Sequence, residues 1–209
     1  MQKKYYALVV VIILVAATLA FGLPINLANS AKEISQNSKI ELVISADTVK
    51  ESMSWYTTQE AIDLQKTKPR KIFLDVYTTW CGPCKMLTAN TFSNPVIQKL
   101  LTDYYLPSKF NAESNEVIEF KGATYKNPKY SPQPRQSTHE FAIYIASTPQ
   151  GLGYPTMVFL DEEGNMIQPI SGYLTPQQLE PILTFFGTDA YKTTDWNTFL
   201  TTFTSAISQ

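Results

Sequence analysis

The chain has 209 residues, of which 44% are hydrophobic and 12% aromatic. This length suits one domain with appendages, and the aromatic content excludes wholesale disorder. Seventeen basic and eighteen acidic residues leave a net charge of -1, which argues against a nucleic-acid binder and against a polybasic membrane-surface module. Only two cysteines occur, Cys81 and Cys84, so the chain alone can form neither a disulfide scaffold nor a four-thiolate zinc site.

The N-terminus has the pattern of an export segment. Lys3 and Lys4 precede an uncharged stretch from Tyr5 to Ala31, which is most apolar over the 15 residues Ala7–Phe21. A signal peptide has an apolar core of about 7 to 15 residues, whereas a spanning helix needs about 20. Residues 1–30 are therefore predicted to be a signal peptide or, if uncut, an N-terminal membrane anchor. In both cases the positive-inside rule places the remainder outside the cytoplasm.

The folded domain is predicted to follow a short linker. Residues 31–39 are mostly polar and read as a solvated linker. The domain is expected to cover residues 40–209, with a short first strand at Glu41–Ile44 or near Trp55.

The next two elements are a helix and a buried strand. Thr57 followed by Glu60 is a capping box and predicts a helix that begins there. The run Lys71–Tyr77 is mainly apolar, as in a strand that is buried on both faces. Asp75 interrupts this run, and a buried acid requires a specific reason.

Beyond the two cysteines, the pattern predicts two helices and another strand. The first helix runs through Lys85–Ala89, and Ser93 or Asn94 caps a second helix that starts with Pro95. A strand is then predicted at Tyr104–Phe110.

The middle of the chain is a long polar excursion. Residues Glu113–Pro134 contain three prolines and are predicted to form a loop with one hairpin around residues 121–122. Ser137 and Glu140 are predicted to form a capping box for a short helix. His139, the only histidine, is expected to be a solvated residue at the start of that helix.

The last part predicts a hairpin and two helices. Strands at Thr156–Leu160 and Met166–Ile170 flank a turn, and Thr175 with Pro176 opens a helix. The resulting order, βαβα then ββα, predicts a mixed sheet with a parallel pair and an antiparallel hairpin. Helical spacing also predicts a C-terminal amphipathic helix that packs on the domain, with the apolar residues Trp196, Phe199, Leu200, Phe203 and Ile207.

The two cysteines lie where the buried strand ends and a helix begins. Cys81 would stand at the helix N-terminus, a location that favours the thiolate. Gly82 permits a tight turn, Pro83 suits the first helical turn, and Cys84 can reach back to close a disulfide. A lone C-x-x-C is compatible with redox, zinc or copper chemistry, but a strand before it and a helix after it favour redox chemistry.

Trp80–Lys85 reads Trp-Cys-Gly-Pro-Cys-Lys, which resembles the active-site hexapeptide of the thioredoxin superfamily. The resemblance extends over Lys71 to about Phe186, and the exported thioredoxin-like proteins look closer than the short cytosolic ones. It implies the thioredoxin fold, an α/β fold with a central mixed sheet flanked by helices. An insertion within residues 113–150 and an extra C-terminal helix would be additions to that fold.

The resemblance also assigns roles to individual residues. Cys81 would attack a substrate disulfide and Cys84 would resolve the mixed disulfide. Asp75 falls where thioredoxins place a buried carboxylate that exchanges a proton with the second cysteine, and Lys109 falls at the position of its strand partner.

Further residues would contact the substrate. Trp80, Gly82 and Pro83 border the first cysteine, and Tyr154 with Pro155 would form the cis-proline loop that pairs with an extended substrate. Gly172 matches a packing glycine of the closing strand. Tyr154 is bulkier than the residue often found before this proline.

The function expected from this resemblance is that of an exported thiol:disulfide oxidoreductase. It would reduce disulfides of extracytoplasmic proteins and need no cofactor beyond the Cys81–Cys84 pair. A membrane dithiol carrier would be its electron donor, and the N-terminal segment its only contact with a membrane. Two alternatives remain open: an oxidase or isomerase on the same site, and a Cu(I)-binding module in which Met86 assists the two thiolates.

Overall fold

The computed structural model describes residues 53–207. The predicted signal peptide or anchor, the linker, the domain start at residue 40 and the alternative strand at Glu41–Ile44 lie outside the described residues. Among the helices of the described residues, none is long and apolar enough to cross a membrane.

The helices and strands alternate along most of the chain. The strands are β1 (Tyr56–Thr57), β2 (Lys71–Tyr77), β3 (Tyr105–Asn111), β4 (Ile118–Phe120), β5 (Ala123–Tyr125), β6 (Thr156–Leu160) and β7 (Met166–Ser171). The α-helices are α1 (Thr58–Thr67), α2 (Gly82–Met86), α3 (Pro95–Tyr104), α4 (Glu140–Ala146), α5 (Pro176–Gly187) and α6 (Trp196–Thr202). A π-helical turn (Leu87–Thr91) extends α2, and a 3-10 turn (Ala190–Lys192) follows α5.

Five strands form a mixed sheet in the order β1-β3-β2-β6-β7. Strands β1, β3 and β2 are parallel, whereas β6 and β7 are antiparallel to their neighbours. Strands β4 and β5 form a separate hairpin at the predicted position. The mixed sheet flanked by helices confirms the predicted thioredoxin fold, and the short first strand lies next to Trp55.

Strand β2 is buried on both faces because helices cover both sides of the sheet. Ile72, Leu74 and Val76 pack in one apolar cluster with residues of α1 and α4. Phe73, on the opposite face, packs in a second cluster with residues of α3 and α5. The near-continuous apolar run in the sequence follows from this double burial.

Side chains cap the helices at most of the predicted positions. Thr57 and Glu60 make the predicted reciprocal capping box of α1. The side chain of Asn94 accepts hydrogen bonds from the first turn of α3, which begins with Pro95. Thr175 caps α5 as predicted.

The predicted capping box of Ser137 with Glu140 is wrong. The residue that caps α4 is His139, whose Nδ1 accepts a hydrogen bond of 3.0 Å from the N–H of Phe141. An imidazole nitrogen can replace a hydroxyl as a capping acceptor, which the spacing argument did not consider.

The expectation that His139 is solvated is also wrong. Its exposed fraction is 0%, and its ring packs edge-on against Phe110 at 5.0 Å between centroids. Its Nε2 lies 2.8 Å from the carbonyl oxygen of Glu116, so both ring nitrogens have partners. The histidine therefore holds the start of α4 against the polar segment that precedes it.

The C-terminal helix packs on the domain as predicted, but it is shorter than the apolar pattern. Trp196 and Phe199 contact the ring of Phe185 on α5, at 5.2 and 5.0 Å between centroids. The chain leaves the helix at Phe203. Beyond that point the side chain of Ile207 joins the core cluster next to α3 and α5.

A buried glutamate fastens this C-terminal segment. Glu180 on α5 accepts a hydrogen bond of 2.6 Å from the N–H of Ala206 and another from the hydroxyl of Ser205. These two bonds give the carboxylate partners inside the protein, as burial of a charged group requires.

The cap of α4 can be tested by substitution. We expect His139→Ala to lower the free energy of unfolding by about 2 kcal/mol, because it removes both the helix cap and the contact with the carbonyl of Glu116. His139→Asn retains a capping acceptor and should lose less. Urea denaturation measures both, and a value for His139→Ala within about 0.5 kcal/mol of the parent would contradict this role.

Candidate active site

Cys81 and Cys84 form a disulfide at the junction of β2 and α2. Cys81 is the N-cap of α2, and its Sγ accepts a hydrogen bond of 3.1 Å from the N–H of Cys84. The cysteines are only 3% and 4% exposed. The side chains that border the disulfide therefore decide which disulfides can reach it.

The hexapeptide residues between the cysteines leave one side of this site open. Pro83 lies in the first turn of α2, where no backbone donor is needed. A Cβ at Gly82 would meet no atom within 4 Å, and its φ is not left-handed. The predicted need for glycine in the turn is therefore wrong, and Gly82 instead keeps the surface beside Cys81 free of a side chain.

Asp75 is the buried acid of β2. It is 1% exposed and lies opposite Lys109 of β3, with 3.4 Å between Oδ2 and Nζ. Its Oδ1 has no hydrogen-bond partner among the described residues. Burial raises the pKa of Asp75 to about 6, while the positive charge of Lys109 acts in the opposite direction.

Lys109 is held by contacts that the sequence analysis missed. Its Nζ donates a hydrogen bond of 2.9 Å to the hydroxyl of Thr88. The same ammonium lies 4.7 Å from the ring centroid of Trp55, 5.8 Å from that of Tyr77 and 5.4 Å from that of Phe92. Aromatic faces attract a cation, so these rings keep the positive charge next to the carboxylate of Asp75.

The predicted proline loop lies next to the hexapeptide. The Tyr154–Pro155 peptide bond is cis, as predicted. The ring of Tyr154 meets the ring of Trp80 edge-on, with 6.1 Å between centroids. Burial raises the pKa of Tyr154 to about 12, so its hydroxyl is neutral at physiological pH.

Gly172 connects this loop to the end of β7 rather than packing within the strand. Its N–H donates a hydrogen bond of 2.8 Å to the carbonyl of Pro155. Its φ of 103° lies in the left-handed region, where a side chain would be strained. A glycine at this position therefore lets the chain turn while it fastens the proline loop.

The insertion (residues 113–150) reaches the site as well. The indole Nε1 of Trp80 donates a hydrogen bond of 2.9 Å to Oε2 of Glu113, and the N–H of Arg135 donates one of 2.7 Å to Oε1. The guanidinium of Arg135 lies over the Trp80 ring, 4.5 Å from its centroid. The sequence spacing did not indicate that Glu113 and Arg135 both contact Trp80.

The structure thus brings the predicted site residues into three groups. Cys81, Cys84, Gly82 and Pro83 form the start of α2, Asp75 pairs with Lys109, and Trp80 contacts Tyr154 beside Pro155. Within residues 53–207 no group of three or more His, Cys, Asp or Glu side chains is placed to hold a metal ion. Met86 is 47% exposed and is not part of the core.

Comparisons with known proteins identify relatives of this chain. A family model described as a thioredoxin-like domain matches residues 58–187. The thiol:disulfide interchange protein DsbD of Pectobacterium atrosepticum is 27% identical over 121 residues, which cover 57% of this chain and 17% of DsbD. The thioredoxin-like protein YneN of Bacillus subtilis is 26% identical over 129 residues, which cover 58% of this chain and 68% of YneN.

A solved structure also aligns with the chain. A thioredoxin from Thermus thermophilus is 17% identical with a TM-score of 0.47, and the alignment covers 65% of this chain and 87% of that one. The present chain spans less than a fifth of the length of the DsbD relative and about two thirds of YneN.

The raised pKa of Asp75 makes stability depend on pH. Its folded pKa of about 6 exceeds the ordinary aspartate pKa of 3.8, so the folded state holds the proton more strongly. The contribution of Asp75 to stability is therefore most favourable below about pH 4, falls as pH rises to about 6, and stays low above that value. The Asp75→Asn variant has no carboxyl group at this position, so it does not lose this stability as pH rises. Relative to the parent, its free energy of unfolding should rise between about pH 4 and pH 7 by up to about 3 kcal/mol.

Denaturant titrations at a series of pH values measure this difference. Asp103→Asn, which removes an exposed carboxylate on α3 that pairs with Lys99, is the control for the loss of one surface carboxylate. If the difference in free energy of unfolding between Asp75→Asn and the parent does not change with pH, burial does not disfavour the Asp75 carboxylate.

Proposed function

Since the chain belongs to the thioredoxin-like domain family, we propose that it is a thiol:disulfide oxidoreductase that reduces disulfides of proteins outside the cytoplasm. One observation carries this proposal. The Cys81–Cys84 disulfide caps the start of α2, six residues after an acid that is buried in the central strand. A dithiol at a helix N-terminus is a nucleophile, and a buried acid with a raised pKa is a proton acceptor near neutral pH.

The first step is attack by Cys81. In the reduced form, the Cys81 thiolate attacks one sulfur of the substrate disulfide. A mixed disulfide between Cys81 and the substrate forms, and the other substrate sulfur leaves as a thiolate. The N–H of Cys84 points at the Cys81 sulfur, so the N-terminal turn of α2 stabilises the nucleophile.

The second step is resolution by Cys84. Its thiol transfers a proton to the carboxylate of Asp75, and the resulting thiolate attacks the Cys81 sulfur of the mixed disulfide. The Cys81–Cys84 disulfide forms, and the second substrate sulfur leaves as a thiolate that takes up a proton. Two electrons have then passed to the substrate. With a pKa of about 6, Asp75 is mostly ionised at pH 7 and ready to accept the proton.

Lys109 is a positioning residue in this scheme. Its charge opposes the effect of burial on Asp75, so that the carboxylate remains ionised at neutral pH. The contacts of its ammonium with Trp55 and Thr88 fix that charge in place.

The cellular setting is part of the proposal. Residues 1–30 would export the chain or anchor it, residues 31–39 would link that segment to the domain, and the domain would act on the outer face of the membrane. Both cysteines of the chain are in the disulfide, so another protein must reduce it again. The similarity to the thiol:disulfide interchange protein DsbD supports a membrane dithiol donor. No cofactor other than the cysteine pair takes part.

Serine variants test the division of labour between the cysteines. Cys81→Ser should abolish reduction of a protein disulfide, because no nucleophile is left to attack. Cys84→Ser should retain attack but accumulate mixed disulfides, because resolution is lost. Insulin reduction and non-reducing gel electrophoresis measure the two effects. If Cys84→Ser releases product as fast as the parent, or Cys81→Ser retains activity, the scheme is wrong.

A further inference from the structure

The insertion forms a cleft beside the disulfide, called the Trp80 cleft below. We propose that this cleft selects substrates that carry an acidic side chain close to the disulfide to be reduced. This inference rests on the proposed function and names a substrate class for it. The cleft has a volume of about 510 Å³, and its lining includes Trp80, Glu113, Lys129, Arg135, Thr138 and Tyr154.

The lining of the Trp80 cleft includes the residue before the first cysteine and the residue before the cis-proline. Trp80 immediately precedes Cys81, and Tyr154 immediately precedes Pro155. Their rings touch edge-on, so the cleft runs between the two segments that border the nucleophile. A substrate segment that lies along either of these segments therefore comes close to the cleft.

The only acid of the lining is already engaged. Both carboxylate oxygens of Glu113 accept hydrogen bonds, one from the indole of Trp80 and one from the backbone N–H of Arg135. Glu113 therefore serves to attach the insertion to the hexapeptide, and its lone pairs are partly occupied before any substrate arrives.

The two cations of the lining have unused donors. Within residues 53–207, the side-chain nitrogens of Lys129 and Arg135 make no hydrogen bond and no ion pair within 4.0 Å, whereas other lysines of the fold pair with acids. The guanidinium of Arg135 lies over the Trp80 ring, a contact that leaves the N–H groups at its edge available. Such an edge binds a carboxylate through two parallel hydrogen bonds.

The backbone holds Arg135 in this position. Its φ of 66° lies in the left-handed region, and its N–H is tied to Glu113. With the two cations Lys129 and Arg135 and the single acid Glu113, the lining carries an excess of positive charge, which attracts a carboxylate on an incoming segment and repels an amine. The cleft does not change the redox step. It affects only which substrate disulfide binds next to Cys81.

Matched peptides test this selection. Each peptide contains one intramolecular disulfide and differs only in the residues that flank one cysteine, which are Glu, Gln or Lys. At low salt the reduced parent should reduce the Glu peptide with a kcat/KM about threefold to fivefold above that of the Gln peptide, the upper part of the range expected of an exposed charge pair. The Lys peptide should be slowest, and the preference should shrink as salt screens the charges.

Charge variants separate the cleft from general electrostatics. Arg135→Gln should lose most of the Glu preference, and Arg135→Glu should reverse it in favour of Lys. Lys126→Gln is the control, because Lys126 is an exposed cation of the same insertion that does not line the cleft. It should retain the full preference. Equal rates for all peptides in the parent, or an unchanged preference in Arg135→Glu, would overturn the inference.

A binding measurement tests the charge preference of the cleft independently of disulfide reduction. Calorimetry with the oxidised protein uses the same peptides with serine in place of both cysteines, and the Glu peptide should again bind about threefold to fivefold more tightly than the Gln peptide. If all peptides are reduced without any preference in rate or affinity, the proposed substrate preference is wrong and the proposed function still stands. A preference in affinity without reduction of any peptide overturns the proposed function and leaves the cleft standing.

Discussion

The burial of one carboxylate in the central strand is the constraint on which the rest of the site depends. Helices cover both faces of β2, so Asp75 has no access to bulk water and its charge is disfavoured. Lys109 on the adjacent strand partly offsets this cost, and three aromatic rings hold its ammonium in place. The outcome is an acid that changes its protonation near neutral pH, where the chemistry of a dithiol requires a proton acceptor.

The same architecture separates the reactive centre from the segments that border it. The cysteines stand where the most buried strand meets a helix, and the fold determines their position. The border consists of the proline loop and of the insertion, which is attached to Trp80 through Glu113 and Arg135. Chemistry and substrate choice therefore reside in different parts of the chain, joined at a single tryptophan.

Local signals predicted most of the fold. The apolar run of β2, the capping box of Thr57 with Glu60 and the proline at the start of α3 each depend on residues close in sequence, so patterns reveal them. The pairing of Asp75 with Lys109 followed from resemblance to a family, not from spacing. Contacts between distant segments escaped prediction: Trp55 meets Lys109, and Arg135 meets Trp80, only because the sheet and the insertion bring them together.

The site is proposed to act as a reductant, and its reduction potential decides whether it does. In the described residues the Cys81 sulfur accepts a hydrogen bond only from the N–H of Cys84, and Gly82 and Pro83 supply no side-chain donor or charge. Strongly oxidising sites, with potentials near about -120 mV, depend on an unusually stabilised reduced form. Equilibration with glutathione should therefore give a potential near that of thioredoxin, about -270 mV. A value above about -180 mV would contradict the account and favour an oxidase or isomerase.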